Sequence, residues 1–547
     1  MNNGSVTPNR RTVLKAAGIG AAGVASMPLL SACTVESAQQ ASARSAPLLP
    51  APPGQVEPLL DRSKVDNALG QLDGQIQGAM EHTGLPGVAV AVVYRDEVLY
   101  SKGFGVREVG KPEKVGADTV FQLASVSKPL ASTVVAALVG REVFKWTDAV
   151  VRYNKNFALK DDYVTRNATF ADLLAHRSGL ETGSGDLLED LGFDRGYILG
   201  HLNQEPLDTF RSSYNYSNFG FTEAGQAAAD AMKMTWEDLA DEVLFRKLGM
   251  SASSYRYSDY AKAANKAIIH VPLGNKQWAA KYQRNADAQA PAGGASSSVR
   301  DLAQWLRLQL GNGSYEGQPV IDAAALQTTR VPHAVSGPAS APAARSRFYG
   351  LGWNVSYDDQ GRVQLGHSGA FNLGAATAVS MLPGEQLGIV VLTNGRPQGI
   401  PEAIAAGFLD TAQHGSPTVD WLAFTAGVFK QIDESEKPKV DYTKIPPNPV
   451  PAKAISTYTG IYENSYYGPL VVLEEGGKLT MRLGPTGSPT TFQLTHFNGD
   501  TFSFESIGEN ANGLAGALFA GVGGGSAPSV TLDFYDRTGL GTFTRAS

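Results

Sequence analysis

Apolar and polar positions alternate with two different periods along this chain, and the change of period marks its elements. Gly87 to Tyr100 reads as two β-rich runs around a polar Arg95-Asp96-Glu97 turn, which predicts a hairpin. Leu130 to Val139 is almost wholly Ala, Val and Leu, which predicts a buried helix. Pro129 lacks an N–H and is tolerated only near a helix start, so this helix begins close to Ser125. A second helix is expected over Glu223 to Met232, and Gly388 to Asn394 reads as a strand. Beyond Ile445-Pro-Pro-Asn-Pro-Val-Pro451, a stiff connection, the period becomes that of short strands: Tyr458–Tyr462, Tyr466–Leu473, Lys478–Leu483, Thr491–Phe497, Thr501–Glu505 and Ser529–Tyr535. Several short strands with turn signals predict a small all-β barrel. Gly508 to Gly525, rich in Gly and Ala, is expected as a long loop.

The N-terminal pattern is different in kind. Arg10-Arg11 with Val13-Leu14-Lys15 resembles a twin-arginine export signal. The uncharged stretch Ala16 to Leu30 is shorter than the ~20 residues of a membrane span and has the length of a signal-peptide core. Leu30-Ser-Ala-Cys33 resembles a lipobox, in which the cysteine is lipidated. Ala41-Ser-Ala43 offers an alternative cleavage site, and either reading exports the chain to the cell envelope. The expected organisation is a signal over 1–33, a disordered Ala/Ser/Pro-rich tether over 34–62, a catalytic-size domain over 63–412, a linker over 413–451 and the barrel over 452–547.

Composition narrows the chemistry. The 547 residues are 43% hydrophobic and 18% charged, enough to bury a core. With 46 basic and 52 acidic residues the net charge is −6, which is not the footprint of a nucleic-acid binder. One cysteine excludes an internal disulfide, a multi-cysteine zinc site and an iron–sulfur cluster. The eight histidines form no H-x-H or H-E-x-x-H pattern, there is no P-loop, and Glu108 breaks a dinucleotide fingerprint at Gly103-Phe-Gly105. No cofactor and no metal is therefore expected, and the expected partner is a small-molecule or peptide substrate. Membrane contact is expected only through a lipid on Cys33.

Three short motifs carry candidate chemistry. In Ser125-Val-Ser-Lys128, a serine at a helix start shares a face with a lysine three residues on, and a lysine of lowered pKa can take the serine proton. In Tyr216-Ser-Asn218, expected in an extended or loop segment, a phenol can pass protons and an amide can hold a carbonyl. In His367-Ser368-Gly369-Ala370, a strand can offer backbone N–H groups as an oxyanion hole. Each motif alone also has a plain structural reading: a surface pair, an aromatic turn, an ordinary strand. Gly366-His-Ser368-Gly-Ala370 nearly matches G-x-S-x-G, which would make Ser368 a nucleophile, but its last glycine is Ala and no repeated βαβ pattern leads to it.

Taken in order, the three motifs resemble the penicillin-recognising serine hydrolases of class C β-lactamase type, whose relatives include D,D-carboxypeptidases, D-aminopeptidases and esterases. Leu85-Pro-Gly, His176-Arg-Ser178-Gly179, Leu248-Gly-Met250, Pro291-Ala-Gly-Gly294 and Tyr349-Gly-Leu-Gly-Trp353 are similar to the same family. The resemblance implies an α+β fold: an antiparallel sheet flanked by helices, with a helical subdomain, followed here by a lipocalin-like barrel. It implies Ser125 as acylated nucleophile, Lys128 as its proton partner, Tyr216 as second acid/base and Asn218 as a substrate-positioning group. The N–H groups of Ser125 and Ala370 would form the oxyanion hole. His176, Ser178 and Gly179 match a signature that is structural in the family, and Tyr214 is expected to pack. Two departures bear on substrate. Where class C enzymes carry Lys-Thr-Gly this chain has His367-Ser368-Gly369, and a His of ordinary pKa ~6.5 is mostly neutral at pH 7. Arg211 in Phe210-Arg-Ser-Ser213 is either a replacement cation or a solvated loop charge. The expected function is an exported acyl-enzyme hydrolase of amides or esters, most of all D-amino-acid peptides; the alternatives are a weak β-lactamase and a non-catalytic envelope sensor. The barrel is expected to shape the cleft mouth, or alternatively to bind an apolar ligand.

Overall fold

A computed structural model describes residues 59–546 except 522 and 524. The expectations for the signal, for Cys33 and for the tether up to residue 58 lie outside the described residues.

Eight antiparallel strands form the first sheet. They are β1 (Gly87–Tyr94), β2 (Glu97–Gly105), β3 (Ala334–Gly337), β4 (Arg347–Tyr349), β5 (Asn354–Tyr357), β6 (Val363–Phe371), β7 (Ala375–Leu382) and β8 (Leu387–Thr393), in the order β2-β1-β8-β7-β6-β5-β4-β3. The β1–β2 hairpin forms where the polar turn predicted it. Arg95 and Asp96 both take positive φ, 47° and 65°, the geometry of a turn matched to strand twist. Every residue of β1, β7 and β8 is buried, because helices cover both faces. Val88, Val90 and Val92 pack with α1 (Arg62–Thr83) and, further along the chain, a helix over Ile400–His414. Ala89, Ala91 and Val93 turn to the other face and belong to the same core cluster as α2 (Ser127–Gly140), whose residues 127–138 are all buried. Burying that many aliphatic side chains, at roughly 1.5–3 kcal/mol each, is what holds the layers together. A helical subdomain includes α3 (Asn218–Met232), and α4 (Val299–Leu310) lies against the sheet. The Ile400–His414 helix is α5.

Two local expectations are corrected. The helix expected from Glu223 begins at Asn218, because the Ser217 hydroxyl caps it by accepting from the Gly220 N–H at 3.0 Å. Asn218 is thus helical rather than in a loop. The expected loop over 508–525 contains a strand, Leu514–Ala520, in which Ala515, Ala517 and Phe519 turn inward. Small residues read as a loop because their inward neighbours are large aromatics that only the fold supplies.

The segment 413–451 carries α6 (Trp421–Ser435) before the prolines. Nine strands follow: β9 (Gly460–Glu463), β10 (Leu470–Glu475), β11 (Lys478–Leu483), β12 (Thr490–Gln493), β13 (Thr495–Asn498), β14 (Thr501–Glu505), β15 (Leu514–Ala520), β16 (Ser529–Leu532) and β17 (Thr542–Arg545). Their order β12-β11-β10-β9-β17-β16-β15-β14-β13 makes a nearly closed antiparallel barrel, with strands adjacent in sequence at its two edges. Its interior is filled by rings in mutual contact, among them Tyr458, Phe502, Phe519, Tyr467 and Tyr535.

At the far end of the first sheet, Glu385 in the turn after β7 accepts from the N–H groups of Leu59 and Leu60 at 2.9 Å each. Arg362, buried, bonds Glu385 at 2.7 Å and Asp358 at 2.8 Å.

Candidate active site

Ser125 sits in a single 3-10 turn, Ala124–Val126, that runs straight into α2. The turn is entered through Ala124 at φ 47°, a left-handed conformation costly for a residue with a Cβ. Ala124 is fully buried and its position is over-determined: Leu123 accepts from Thr377 Oγ1 of β7 at 2.7 Å and donates to Ala295 at 2.9 Å. Gly369 of β6 lies against this turn. A Cβ there would stand 2.1 Å from the Leu123 oxygen and 3.1 Å from the Ser125 nitrogen, so only glycine lets the strand come this close. β5 pairs with β6 only as far as Gly366, so residues 367–371 pair with β7 on one side and leave the other edge to the cleft.

Lys128, with no exposed surface, reaches Ser125 Oγ at 3.1 Å, Asn218 Oδ1 at 2.8 Å and the Ala292 carbonyl at 3.0 Å. Three acceptors match the three N–H bonds of an ammonium. Asn218 is oriented in turn by its amide, which donates to Asp186 at 3.2 Å. The Tyr216 ring centroid lies 4.5 Å from Lys128 Nζ. Tyr216 is positioned by His176, whose ring is 4.4 Å away and whose Nδ1 accepts from the Ser217 N–H at 3.2 Å. The Ser127 hydroxyl accepts from the Ala295 N–H at 2.9 Å, tying the Ala292 segment to the nucleophile turn.

His367 faces the same cluster. Its Nδ1 donates to the Ser368 carbonyl at 2.8 Å and its Nε2 accepts from the Tyr349 hydroxyl at 2.9 Å. Burial first, and the Lys128 charge second, push its pKa down to about 3, so it is a neutral imidazole at pH 7. Strand alternation turns the Ser368 side chain to the opposite face from His367 and Gly369. Ser368 is mid-strand, not on a strand-to-helix turn, so the nucleophile-elbow alternative lacks its required geometry. Arg211 is committed elsewhere: with Arg177 it bonds the buried Asp172, at 2.9 and 2.8 Å. Although burial raises that carboxyl, bonds from Arg211 and Thr169 hold it below the usual range. Tyr214 packs, its ring 5.4 Å from Tyr349.

Sequence reasoning assigned no role to Tyr349, Asp186 or Ala292, and it missed a cluster at the joint with the barrel. The barrel loop after β14 puts Glu509 against the end of β6: its carboxylate accepts from the Asn372 and Leu373 N–H groups, and its carbonyl from Asn372 Nδ2 at 3.0 Å. Arg284, buried, bonds Glu189 at 2.7 Å, lies 3.8 Å from Glu509 and stacks 5.0 Å over Phe371. Asp190 accepts from the Glu509 N–H at 2.7 Å. One guanidinium thus serves three carboxyls, and burial pushes Glu509 up to about 7. The Arg284 carbonyl accepts from Gln122 at 2.7 Å, three residues before the nucleophile. The barrel therefore reaches the strand that flanks Ser125.

A family model described as Beta-lactamase matches residues 72–410, and a domain of unknown function (DUF3471) matches 444–538. The unguisins hydrolase ungD' of Aspergillus campestris is 25% identical over 79% of this chain and 84% of its own length. Penicillin-binding protein 4 of Amycolatopsis lactamdurans is 28% identical over 57% of this chain and 81% of its own. Among solved structures, the octameric penicillin-binding protein homologue from Pyrococcus abyssi superposes with TM-score 0.56 at 18% identity, covering 85% of this chain and 98% of that one. The class C β-lactamase from Rhodobacter sphaeroides gives 0.51 at 20%, covering 63% and 99%. These two likenesses establish the fold.

Proposed function

The chain belongs to the β-lactamase family, and from that premise we propose that it is a serine hydrolase that cleaves amide or ester bonds through an acyl-enzyme on Ser125. The observation that carries this reading is the Ser125–Lys128–Asn218 array, with Lys128 Nζ bonded to both partners. Ser125 Oγ attacks the substrate carbonyl; the O–C bond forms, the C–N or C–O bond breaks, and the serine proton passes through Lys128 and Tyr216 to the leaving group. Water then cleaves the ester by the reverse proton path. The Ser125 and Ala370 N–H groups stabilise the oxyanion. The printed names of the relatives, a hydrolase and a penicillin-binding protein, support acyl transfer.

The neutral His367 and the committed Arg211 supply no anion-binding charge. They favour a D-amino-acid amide, peptide or ester over a substrate that must be held by a carboxylate, and they make any β-lactamase activity weak. Export and a lipid on Cys33 belong to the same proposal and rest on the N-terminal pattern alone; palmitate labelling lost in Cys33→Ala tests them. The activity is tested by mass spectrometry after a fluorophosphonate. An adduct that disappears in Ser125→Ala and persists in Ser368→Ala supports it; an adduct that needs Ser368, or none at all, overturns it.

A further inference from the structure

The face of β6 that turns away from Ser125 borders a cavity of about 180 Å³, far above the ~10–15 Å³ that one water needs. Alternation sends Gln364, Gly366 and Ser368 to this side, and their partners on β7, Ser380 and Ala378, lie beside them. α5 and Trp421 close it from the outside.

Two opposite charges face this space and do not meet. Arg347 comes from β4 and Glu402 from the first turn of α5. Among the described residues neither makes an ion pair. Arg347 Nε and Glu402 Oε2 are both buried with no hydrogen-bond partner. Glu402 receives a bond only on its other side, from Ser368 and its own backbone. Gly337 gives the guanidinium its room: a Cβ there would stand 2.5 Å from Arg347 Nη2. Burial works against both charges, lowering the Arg347 pKa and raising that of Glu402 to about 7. Leaving two unlike charges unpaired in one cavity is costly, and the cost is relieved by a molecule that brings the complement of each. The remaining charged groups at the rim are already engaged: Asp358 with Arg362 at 2.8 Å, His414 with Asp359 at 3.1 Å, and Asp410 with Trp421 at 2.9 Å. Phe348, Leu409 and Trp421 add an apolar wall to the same cavity.

We propose that this cavity binds a small zwitterion, a free α-amino acid, with its carboxylate on Arg347, its ammonium on Glu402 and its side chain on the apolar wall. His367 also lines this cavity, so it adjoins the acylation cleft, but the proposal does not rest on the reading of that cleft. Ser368 links it to the strand that carries His367 and Gly369, so its occupancy is felt one residue from the Ser125 N–H.

Calorimetric titration of the full chain tests this with D- and L-leucine as probes. Two single-function analogues are run beside them: 4-methylpentanoate, which lacks the ammonium, and 3-methylbutylamine, which lacks the carboxylate. At least one leucine enantiomer is expected to bind, and each analogue to bind about tenfold or more weaker. Glu402→Gln and Arg347→Met are each expected to weaken leucine by the same factor, and Arg347→Lys, which keeps the charge, to weaken it less. Circular dichroism checks that the variants are folded. Binding must survive Ser125→Ala and a covalent fluorophosphonate block. No leucine binding at millimolar concentration, equal binding of the analogues, full retention in both folded variants, or loss on blocking Ser125 each overturns the proposal.

Discussion

Lys128 and Arg284 are both buried basic side chains close to the nucleophile turn, yet their surroundings are opposite. Lys128 bonds three neutral acceptors, a hydroxyl, an amide oxygen and a carbonyl. Arg284 is ringed by the carboxyls of Glu189 and Glu509, with Asp190 behind them. A lysine bonded to neutral dipoles is held less firmly in its charged form, so as the free amine it can take the Ser125 proton when Ser125 attacks. A cation among carboxylates is pinned. The first cluster suits proton movement; the second suits a fixed joint, here between the barrel and the strand beside the nucleophile. The nearest charge, more than depth of burial, separates the two roles.

Four measurements bear on that contrast. Lys128→Met is expected to slow fluorophosphonate labelling of Ser125 by about 10²–10⁴-fold, as loss of a positioned base does. Its stability in urea is expected to change less than that of Arg284→Met, because the acceptors it leaves at 2.8–3.1 Å are neutral. Arg284→Met strands two buried carboxylates and is expected to cost about 3–5 kcal/mol, with new protease sensitivity at the barrel joint. An equal stability loss in the two variants would erase the distinction. The third measurement is a pH series. Glu509 has a folded pKa raised to about 7 from an ordinary 4.5, so the folded chain holds more protons than the unfolded one between those values. Stability therefore falls as pH rises through that window and is level above it, by up to about 3 kcal/mol from this group. Glu509→Gln is expected to flatten part of the slope; Glu402, raised to about 7, and Glu223, buried beside Asn154 and raised to about 8, are among the groups that contribute in overlapping windows. An unchanged slope in the variant would mean that Glu509 is ionised in the joint. The smallest effect is that of Tyr349→Phe, which removes one hydrogen bond to His367 Nε2. A loss of about 1 kcal/mol corresponds to a several-fold fall in kcat/KM on a D-alanyl ester.

The nucleophile cluster was legible because its parts are local. Ser125 and Lys128 are three apart, Tyr216 and Asn218 two apart, and the order of the motifs supplied the rest. The hairpin, the buried helix and most barrel strands were legible because each buries a periodic face. The Arg284 joint was not: Glu189, Arg284 and Glu509 lie far apart in sequence and are common residue types with no spacing to mark them. The same holds for Tyr349 on His367, which only the β4–β6 arrangement brings together. Arg211 shows the converse. Its sequence context left it open as a substrate cation, and Asp172, 39 residues away, claims it.

The hook between Leu59, Leu60 and Glu385 sets how force and orientation pass through this molecule. Leu59 and Leu60 sit at the turn after β7, whereas Thr377, toward the other end of β7, braces the carbonyl of Leu123 beside the nucleophile. Six strand residues, Thr377 to Leu382, spanning roughly 17 Å, and a short turn separate the two points. A pull on residue 59 loads the Glu385–Arg362–Asp358 knot before it reaches any catalytic group. Residue 59 and the reactive serine stand toward opposite ends of one strand.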